Sequence, residues 1–233
     1  EAACLATQDD AGHEWRGASV WCRNGFIEQI LPAGEPLDPW LAQADEVIDA
    51  RHHVVLPGLI NTHHHMVQSL TRAVPAVQNA ELFSWLRGLY PIWRGLTPEM
   101  VRVSHQVAMA ELLLSGCTTS SDHHYMYPNG IRLEDSIEAA QRMGLRFVAS
   151  RGSMSVGQRD GGLPPDEVVE TEDAILRDTR RLIETWHDPS HGARLQIAVA
   201  PCSPFSVSPS LMRESAALAR AYGVRLHTHL AEN

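Results

Sequence analysis

After residue 58, apolar segments of strand length alternate with polar loops and amphipathic helical segments, and this alternation restricts the fold more than any other sequence feature. The strand-like segments are 59–63, 117–121, 146–150, 195–200 and 224–229. Strands that alternate with helices pair in parallel through right-handed crossovers. The sequence therefore predicts an α/β fold, either an open doubly wound sheet or part of a (β/α)8 barrel of the TIM type.

The loops after the strands distinguish these two architectures. No glycine-rich phosphate loop follows the first strand, which argues against a nucleotide-binding open sheet. Polar residues instead follow nearly every strand: 63–65, 122–124, Arg151, Ser203 and 227–232. In a (β/α)8 barrel the carboxyl ends of the strands converge on one active-site mouth. We therefore expect a partial barrel with about five of its eight strands present.

Residues 1–57 have a different character, with short strand-like segments and turns. Segments 18–22 and 26–30 flank Asn24 and Gly25, a residue pair typical of a two-residue hairpin. The sequence predicts a small N-terminal β subdomain here and the barrel portion over residues 58–233.

Helix boundaries are marked by capping residues. Thr97 followed by Pro98 predicts a helix start, and the helix is expected to run to about Leu114. Further helices are predicted over 133–143, 170–186 and from Ser208 to near Gly223.

Composition excludes several functional classes. A formal net charge of −9 argues against a nucleic-acid partner. The chain contains no lysine, so no residue can form a Schiff base or a metal-bridging carbamate. No apolar run approaches the length of a membrane span, and no charged and then apolar leader opens the chain. The four cysteines are scattered, as is typical of a reduced, cytoplasmic protein; they are Cys4, Cys22, Cys117 and Cys202.

The segment Asn61-Thr-His-His-His65 carries the strongest chemical signal. Side chains alternate along a strand, so His63 and His65 share a face and His64 points away. Two imidazoles side by side suit a divalent transition metal, most often zinc. The alternative is a surface histidine cluster without function, which the preceding apolar strand disfavours.

The segment His227-Thr-His-Leu-Ala-Glu232 repeats this arrangement on the fifth predicted strand. His229 is the predicted third metal ligand, and Glu232 is a free carboxylate that could move protons at the same mouth. A catalytic metal keeps an open position for water and lowers the pKa of that water. His227 shares a face with His229. It could either support the metal ligands or only pack in the interior, and the sequence does not assign it.

The motifs 57–65 and 227–232 together resemble those of the amidohydrolase superfamily, in its branch of cytosine/guanine deaminases and triazine hydrolases. The resemblance implies that His63, His65 and His229 bind the metal and that Glu232 is the proton shuttle. It also implies a histidine after strand six and an aspartate after strand eight, which the 233 residues do not include. We therefore expect the fragment alone to be inactive.

The same resemblance implies further features of the site and fold. Two-metal members bridge their metals with a carbamylated lysine, so the absence of lysine favours a single divalent ion, zinc by preference with iron(II) as the alternative. Residues 1–57 would form part of a composite β-sandwich. Superfamily relatives are often oligomeric, which makes a homo-oligomer the expectation.

Segments 68–75, 82–93, 118–125 and 151–155 resemble those of 8-oxoguanine deaminases and of hydroxyatrazine ethylaminohydrolase-like enzymes. A flat heteroaromatic ring needs edge hydrogen bonds and aromatic contact. Candidate substrate contacts are Gln68, Trp85, His123, His124 and Arg151. Trp85 could equally pack in a core, Arg151 could be a structural ion-pair partner, and only one of the adjacent histidines should face the site.

Three functional hypotheses follow. The first is metal-dependent hydrolytic deamination of a purine-like ring, 8-oxoguanine by preference, with water as co-substrate and ammonia as product. The second is an aminohydrolase of hydroxy-s-triazines that uses the same metal site. The third, of another class, is a catalytically incompetent fragment.

Overall fold

The computed structural model describes residues 1–232. The chain divides into two compact units, Glu1–Gly58 and Leu59–Asn233. The division lies next to the predicted boundary between residues 57 and 58. Within the described residues, no helix combines the length and apolar character needed to cross a bilayer.

The first unit is made of two small sheets. Its elements are β1 (Ala2–Ala6), β2 (Glu14–Trp15), β3 (Ser19–Arg23), β4 (Phe26–Leu31), the short helix α1 (Asp38–Leu41) and β5 (Ala50–Val55). Strand β1 lies between β2 and β5, while β3 and β4 form a separate antiparallel hairpin. Asn24 and Gly25 close this hairpin with φ of 52° and 83°. Both angles lie in the left-handed region that Asn and Gly tolerate, so the hairpin forms where the sequence predicts it.

The second unit contains a parallel sheet flanked by helices. In chain order its elements are β6 (Leu59–Asn61), α2 (Leu82–Trp93), α3 (Pro98–Leu114), β7 (Cys117–His124), α4 (Leu133–Met143), β8 (Arg146–Ser153), α5 (Glu172–Trp186), β9 (Leu195–Pro201) and α6 (Pro209–Tyr222). The sheet order is β6-β7-β8-β9, and each neighbouring pair is parallel. This arrangement confirms the predicted α/β class and is that of consecutive strands in a partial barrel.

The fifth predicted strand, residues 224–229, differs from expectation. It makes one isolated parallel bridge, between Val199 and Leu226, and no regular strand. The amide of Val199 donates to Arg225 O (2.9 Å), and the amide of His227 donates to Val199 O (2.9 Å). Its backbone hydrogen bonds therefore reach β9. The segment lies where the fifth strand is expected but lacks the regular series of hydrogen bonds that defines a strand.

Local sequence explains the helix ends. The side-chain oxygen of Thr97 accepts from Met100 N at the start of α3, and that of Ser208 accepts from Leu211 N at the start of α6. Gly144 and Gly223 end α4 and α6 with φ of 73° and 67°. The helices begin at Thr97-Pro98 and Ser208 and end at Gly144 and Gly223, as the sequence predicts, and the two glycines are left-handed C-caps.

Two buried apolar clusters fix the sheet. One lies between the strands and the helices and includes Met109, Ile137, Phe147, Leu182 and Ile197. The other lies among the segments that follow the strands and includes Trp93, Tyr125, Met126 and Met154. The second cluster supports the loops that carry the predicted functional residues.

Candidate metal centre

The two histidines after β6 lie side by side. Strand β6 ends at Asn61, whose side-chain oxygen accepts a hydrogen bond from His63 N (3.0 Å) and turns the chain. His65 then precedes a 3-10 helix, Met66–Leu70. The Nε2 atoms of His63 and His65 are 3.2 Å apart. The strand ends earlier than predicted, yet the shared direction of the two imidazoles is retained.

His229 completes a group of three. Its Nε2 atom lies 3.1 Å from that of His65, across 164 residues of sequence. One potential ligand atom from each of His63, His65 and His229 lies within 4.8 Å of the others. The structure thus brings together the three predicted metal ligands.

The other ring nitrogens hold these imidazoles in place. Nδ1 of His65 lies 2.8 Å from His123 O, and Nδ1 of His229 lies 2.7 Å from Cys202 O. A carbonyl only accepts hydrogen bonds, so both Nδ1 atoms carry the proton. Each Nε2 therefore keeps its lone pair for another partner, the arrangement that metal-binding histidines use.

Burial favours the neutral, ligating form of the imidazoles. It lowers the pKa of His65 to about 4, and it also lowers the pKa of His63, where the neighbouring His229 adds to the effect. Metal ions bind imidazole only when the ring is neutral.

The donor set fits a zinc ion. Tetrahedral zinc with bonds of about 2.0–2.1 Å to nitrogen separates its ligand atoms by roughly 3.3 Å. The observed Nε2 separations of 3.2 and 3.1 Å are close to that value. Three neutral imidazoles whose lone pairs converge at this spacing can bind a divalent transition metal.

Glu232 acts electrostatically on two buried residues beside the histidines, Cys202 and Tyr125. It is exposed. Burial raises the pKa of the Cys202 thiol to about 12, and the charge of Glu232 contributes in the same direction. Burial and Glu232 likewise raise the pKa of Tyr125, whose ring centroid lies 5.4 Å from that of His65. Its charge thus reaches two residues that contact His65 and His229, and its role as proton shuttle stays a prediction.

His123 faces the histidine cluster from β7. Its side chain is fully buried, and neither ring nitrogen has a hydrogen-bond partner among the described residues. Its ring centroid lies 4.5 Å from that of His229 and 4.9 Å from that of His227. Of the two adjacent histidines, His123 is the one on this face. His124 points to the opposite face and contacts His105.

The other two candidates on this side have protein partners. Gln68 is partly buried, and its side-chain amide donates to Tyr125 Oη (3.2 Å). Trp85 is half-buried and meets Trp93 edge-on, with ring centroids 5.3 Å apart. The packing alternative for Trp85 therefore has a physical basis, and its contact with a substrate stays a prediction.

Arg151 is not at the site, which corrects the expectation that it binds substrate. It pairs in register with His124 and so shares the face opposite to His123. Its guanidinium is 2% exposed and bonds to Asp178 and Glu170, each at 2.8 Å. Both carboxylates lie on the helix side of β8 and bond to the guanidinium of Arg151. Of the two alternatives for Arg151, substrate contact and a structural ion pair, these contacts favour the ion pair.

Sequence reasoning missed one supporting group, the buried pair of His105 and Asp122. Nε2 of His105 lies 3.0 Å from Asp122 Oδ2, while Asp122 Oδ1 accepts from Met66 N (2.6 Å). The amide of His123 also donates to His64 O (2.8 Å). Strand β7 thus holds the backbone beside His65. A histidine on the buried face of α3 was the only sequence signal for it.

The amidohydrolase family pattern matches residues 54–233. The 8-oxoguanine deaminase of Pseudomonas aeruginosa is 52% identical over 212 residues, 90% of this chain and 46% of that protein. Hydroxydechloroatrazine ethylaminohydrolase of Pseudomonas sp. (strain ADP) is 39% identical over 240 residues, 98% of this chain and 49% of that protein. The chain thus spans about half the length of these curated relatives.

Among solved structures, atrazine chlorohydrolase from Arthrobacter aurescens TC1, complexed with zinc, superposes with a TM-score of 0.89. It is 31% identical, and the match covers 98% of this chain and 51% of that one.

Proposed function

The chain belongs to the amidohydrolase family, and we propose that it carries the metal ligands of an aminohydrolase that deaminates 8-oxoguanine. The observation that carries this proposal is the convergence of three imidazole Nε2 atoms from His63, His65 and His229. The 52% identity to 8-oxoguanine deaminase supports the substrate.

One divalent metal ion, zinc by preference, would be held by these three Nε2 atoms. The chemistry that such an ion supplies when bound is a water molecule of lowered pKa, able to act as a nucleophile near neutral pH. Iron(II) is the alternative ion, since imidazole ligands suit both.

Glu232 would move the protons of the reaction. A carboxylate at this position could accept a proton from the attacking water. The same group can return that proton to the amidine nitrogen of the ring. A second proton would pass from the newly formed hydroxyl group to the amino group. The carbon–nitrogen bond would then break, ammonia would leave, and the carbon that carried the amino group would become a carbonyl.

The heteroaromatic ring would lie against the face that His123 presents. A fully buried imidazole without a hydrogen-bond partner in residues 1–232 can offer one donor and one acceptor to the edge of a purine. Gln68 adds an amide within reach of Tyr125, and Trp85 could supply an aromatic face.

We also propose a cytoplasmic location and a homo-oligomeric state. All four cysteines are free thiols, a condition typical of reducing compartments.

The direct test is a chimera in which these residues replace the matching 46% of the Pseudomonas aeruginosa relative. We expect purified chimera to release ammonia from 8-oxoguanine. His63→Ala in the chimera should abolish both bound zinc and turnover. His53→Ala, an exposed histidine of the first unit, is the matched control and should change neither.

A second substrate class is favoured by one observation, the 39% identity to hydroxydechloroatrazine ethylaminohydrolase. The same chimera assayed with N-ethyl hydroxy-triazines distinguishes the two, because that reaction would release ethylamine instead of ammonia. Triazine turnover without ammonia release from 8-oxoguanine would replace the proposed substrate.

A further inference from the structure

The three proposed metal ligands differ in what holds their Nδ1 atoms. His65 and His229 each meet a backbone carbonyl. Nδ1 of His63 instead lies 3.0 Å from Nε2 of His227. Nδ1 of His229 also lies 3.9 Å from Cys202 Sγ, but its shorter contact is to the Cys202 carbonyl. The short contact of His63 is to a side chain, so a substitution can remove it.

His227 is placed for this contact by the backbone of the segment that carries His229. Its amide donates to Val199 O (2.9 Å), next to the bridge between Val199 and Leu226. His227 and His229 are two residues apart, so both side chains leave this extended segment on the same side. The ring centroids of His63 and His227 lie 5.0 Å apart, with the planes nearly perpendicular.

His63 also depends most on a side-chain partner. His63 is exposed, whereas His65 and His229 are partly buried. Packing therefore fixes the ring of His63 least, and a hydrogen bond to Nδ1 contributes more to its orientation.

The nitrogen of His63 that carries the proton determines the direction of this hydrogen bond. If Nε2 of His63 binds a metal, its lone pair must be free, so the proton of the neutral ring is on Nδ1. Nδ1–H then donates, and Nε2 of His227 accepts. His227 must consequently carry its own proton on Nδ1, and its Nε2 is not available as a further metal ligand.

We infer that His227 is a positioning residue, which accepts a hydrogen bond from His63 and so fixes the ring orientation and tautomer that bind the metal. The inference rests on the proposed function, because it takes His63 as a ligand. Partners of this kind typically change metal affinity 10- to 100-fold when they are removed.

Zinc affinity of the full chain, measured by competition with a chromophoric chelator, tests this role without an activity assay. His227→Leu removes the acceptor and should weaken zinc binding about 10- to 100-fold. His227→Gln retains an acceptor oxygen near the former Nε2 and should restore most of the affinity.

The matched control is His187→Leu. His187 is also half-buried and also accepts a hydrogen bond through its ring, from Ile197 N (3.1 Å), but at the opposite end of β9. It should leave zinc affinity unchanged. Equal affinity of His227→Leu and the unsubstituted chain would overturn the inference, as would equal weakening by the Leu and Gln variants.

The unsubstituted chain provides a measurement that does not depend on variant folding. Long-range proton–nitrogen correlation spectra of the zinc-bound chain should show His227 protonated on Nδ1 and unprotonated on Nε2. A proton on Nε2 of His227 contradicts the inference while leaving the metal site intact. If His63→Ala binds zinc as tightly as the unsubstituted chain, the proposed metal site itself is wrong. The role of His227 would then be wrong as well.

Discussion

At the scale of single residues, Asp122 ties the metal-ligand loop to the interior. Its carboxylate accepts hydrogen bonds from Met66 N and from His105, and both side chains of the pair are buried. Nδ1 of His105 lies 2.8 Å from Val101 O and must donate to it. Burial raises the pKa of Asp122, but His105 outweighs it and holds the pKa below its usual range.

Removing this carboxylate should cost stability, because the buried imidazole of His105 and the backbone N–H of Met66 would lose their partner. We expect Asp122→Ala to lower the free energy of unfolding by about 3–5 kcal/mol in urea denaturation. Glu111→Ala, which breaks an exposed ion pair with Arg72, should leave the free energy of unfolding nearly unchanged, because solvent screens that pair. Similar losses in the two variants would show that the buried pair has no special structural role.

At the scale of elements, Arg151 joins strand β8 to helix α5 and to the segment before it. Its guanidinium bonds to Asp178 on the helix and to Glu170, and it lies 4.0 Å from the ring centroid of Tyr127. A planar guanidinium can satisfy two carboxylates and an aromatic face together, whereas an ammonium cannot.

Arg151→Lys should therefore destabilise the fold and spare the metal site. We expect a loss of about 1–3 kcal/mol in urea denaturation, the usual scale for hydrogen bonds to charged groups. Zinc affinity should stay at the level of the unsubstituted chain. Arg177→Lys, in an exposed pair with Asp173 on the same helix, is the control and should change stability by under about 0.5 kcal/mol. A selective loss of zinc affinity in Arg151→Lys would restore a role at the site.

The same ion pair predicts a pH dependence of stability. Burial raises the pKa of Asp178, but Arg151 and Arg181 outweigh it and hold the pKa below the usual 3.8. A depressed carboxyl pKa contributes stability that is present above the unfolded value and is lost as pH falls through the folded one. The urea concentration at the unfolding midpoint should thus decrease as the pH is lowered below about 4. In Arg151→Met this decrease should be less steep. Parallel pH profiles would contradict this assignment.

At the scale of the whole molecule, the number of metal ions follows from which donor atoms are free. Two further groups have ligand atoms within 4.8 Å of one another. One, of His123, Cys202 and His229, shares His229 with the three proposed ligands; the other consists of His105, Asp122 and His124. Two of these residues already use their atoms, since His105 bonds to Val101 and Asp122, and Asp122 bonds to Met66. No lysine is present to form a bridging carbamate.

We therefore expect native mass spectrometry of the zinc-saturated chain to show one tightly bound zinc ion. His65→Ala should remove it, and His124→Ala should not. Two tightly bound ions, with the second lost in His124→Ala, would show that the buried group also binds metal.

The confirmed predictions are those that depend on residues close together in the chain. Helix α4 ends at Met143 as predicted, because Gly144 takes a left-handed φ that ends the helix locally. The parallel α/β order follows from alternation, and His63 and His65 share a direction because they are two residues apart. Local periodicity and capping chemistry are properties of the sequence itself.

The sequence by itself determined the order of strands and helices, the family motifs and which histidines could bind a metal. Only the tertiary structure decided which partner each polar side chain meets. His65 bonds to a carbonyl 58 residues away, His63 to a ring 164 residues away, and Arg151 faces α5 instead of the site. The physical reason is that periodicity specifies the face of a strand on which a side chain lies. The group that occupies the space beyond that face is set by packing between distant segments.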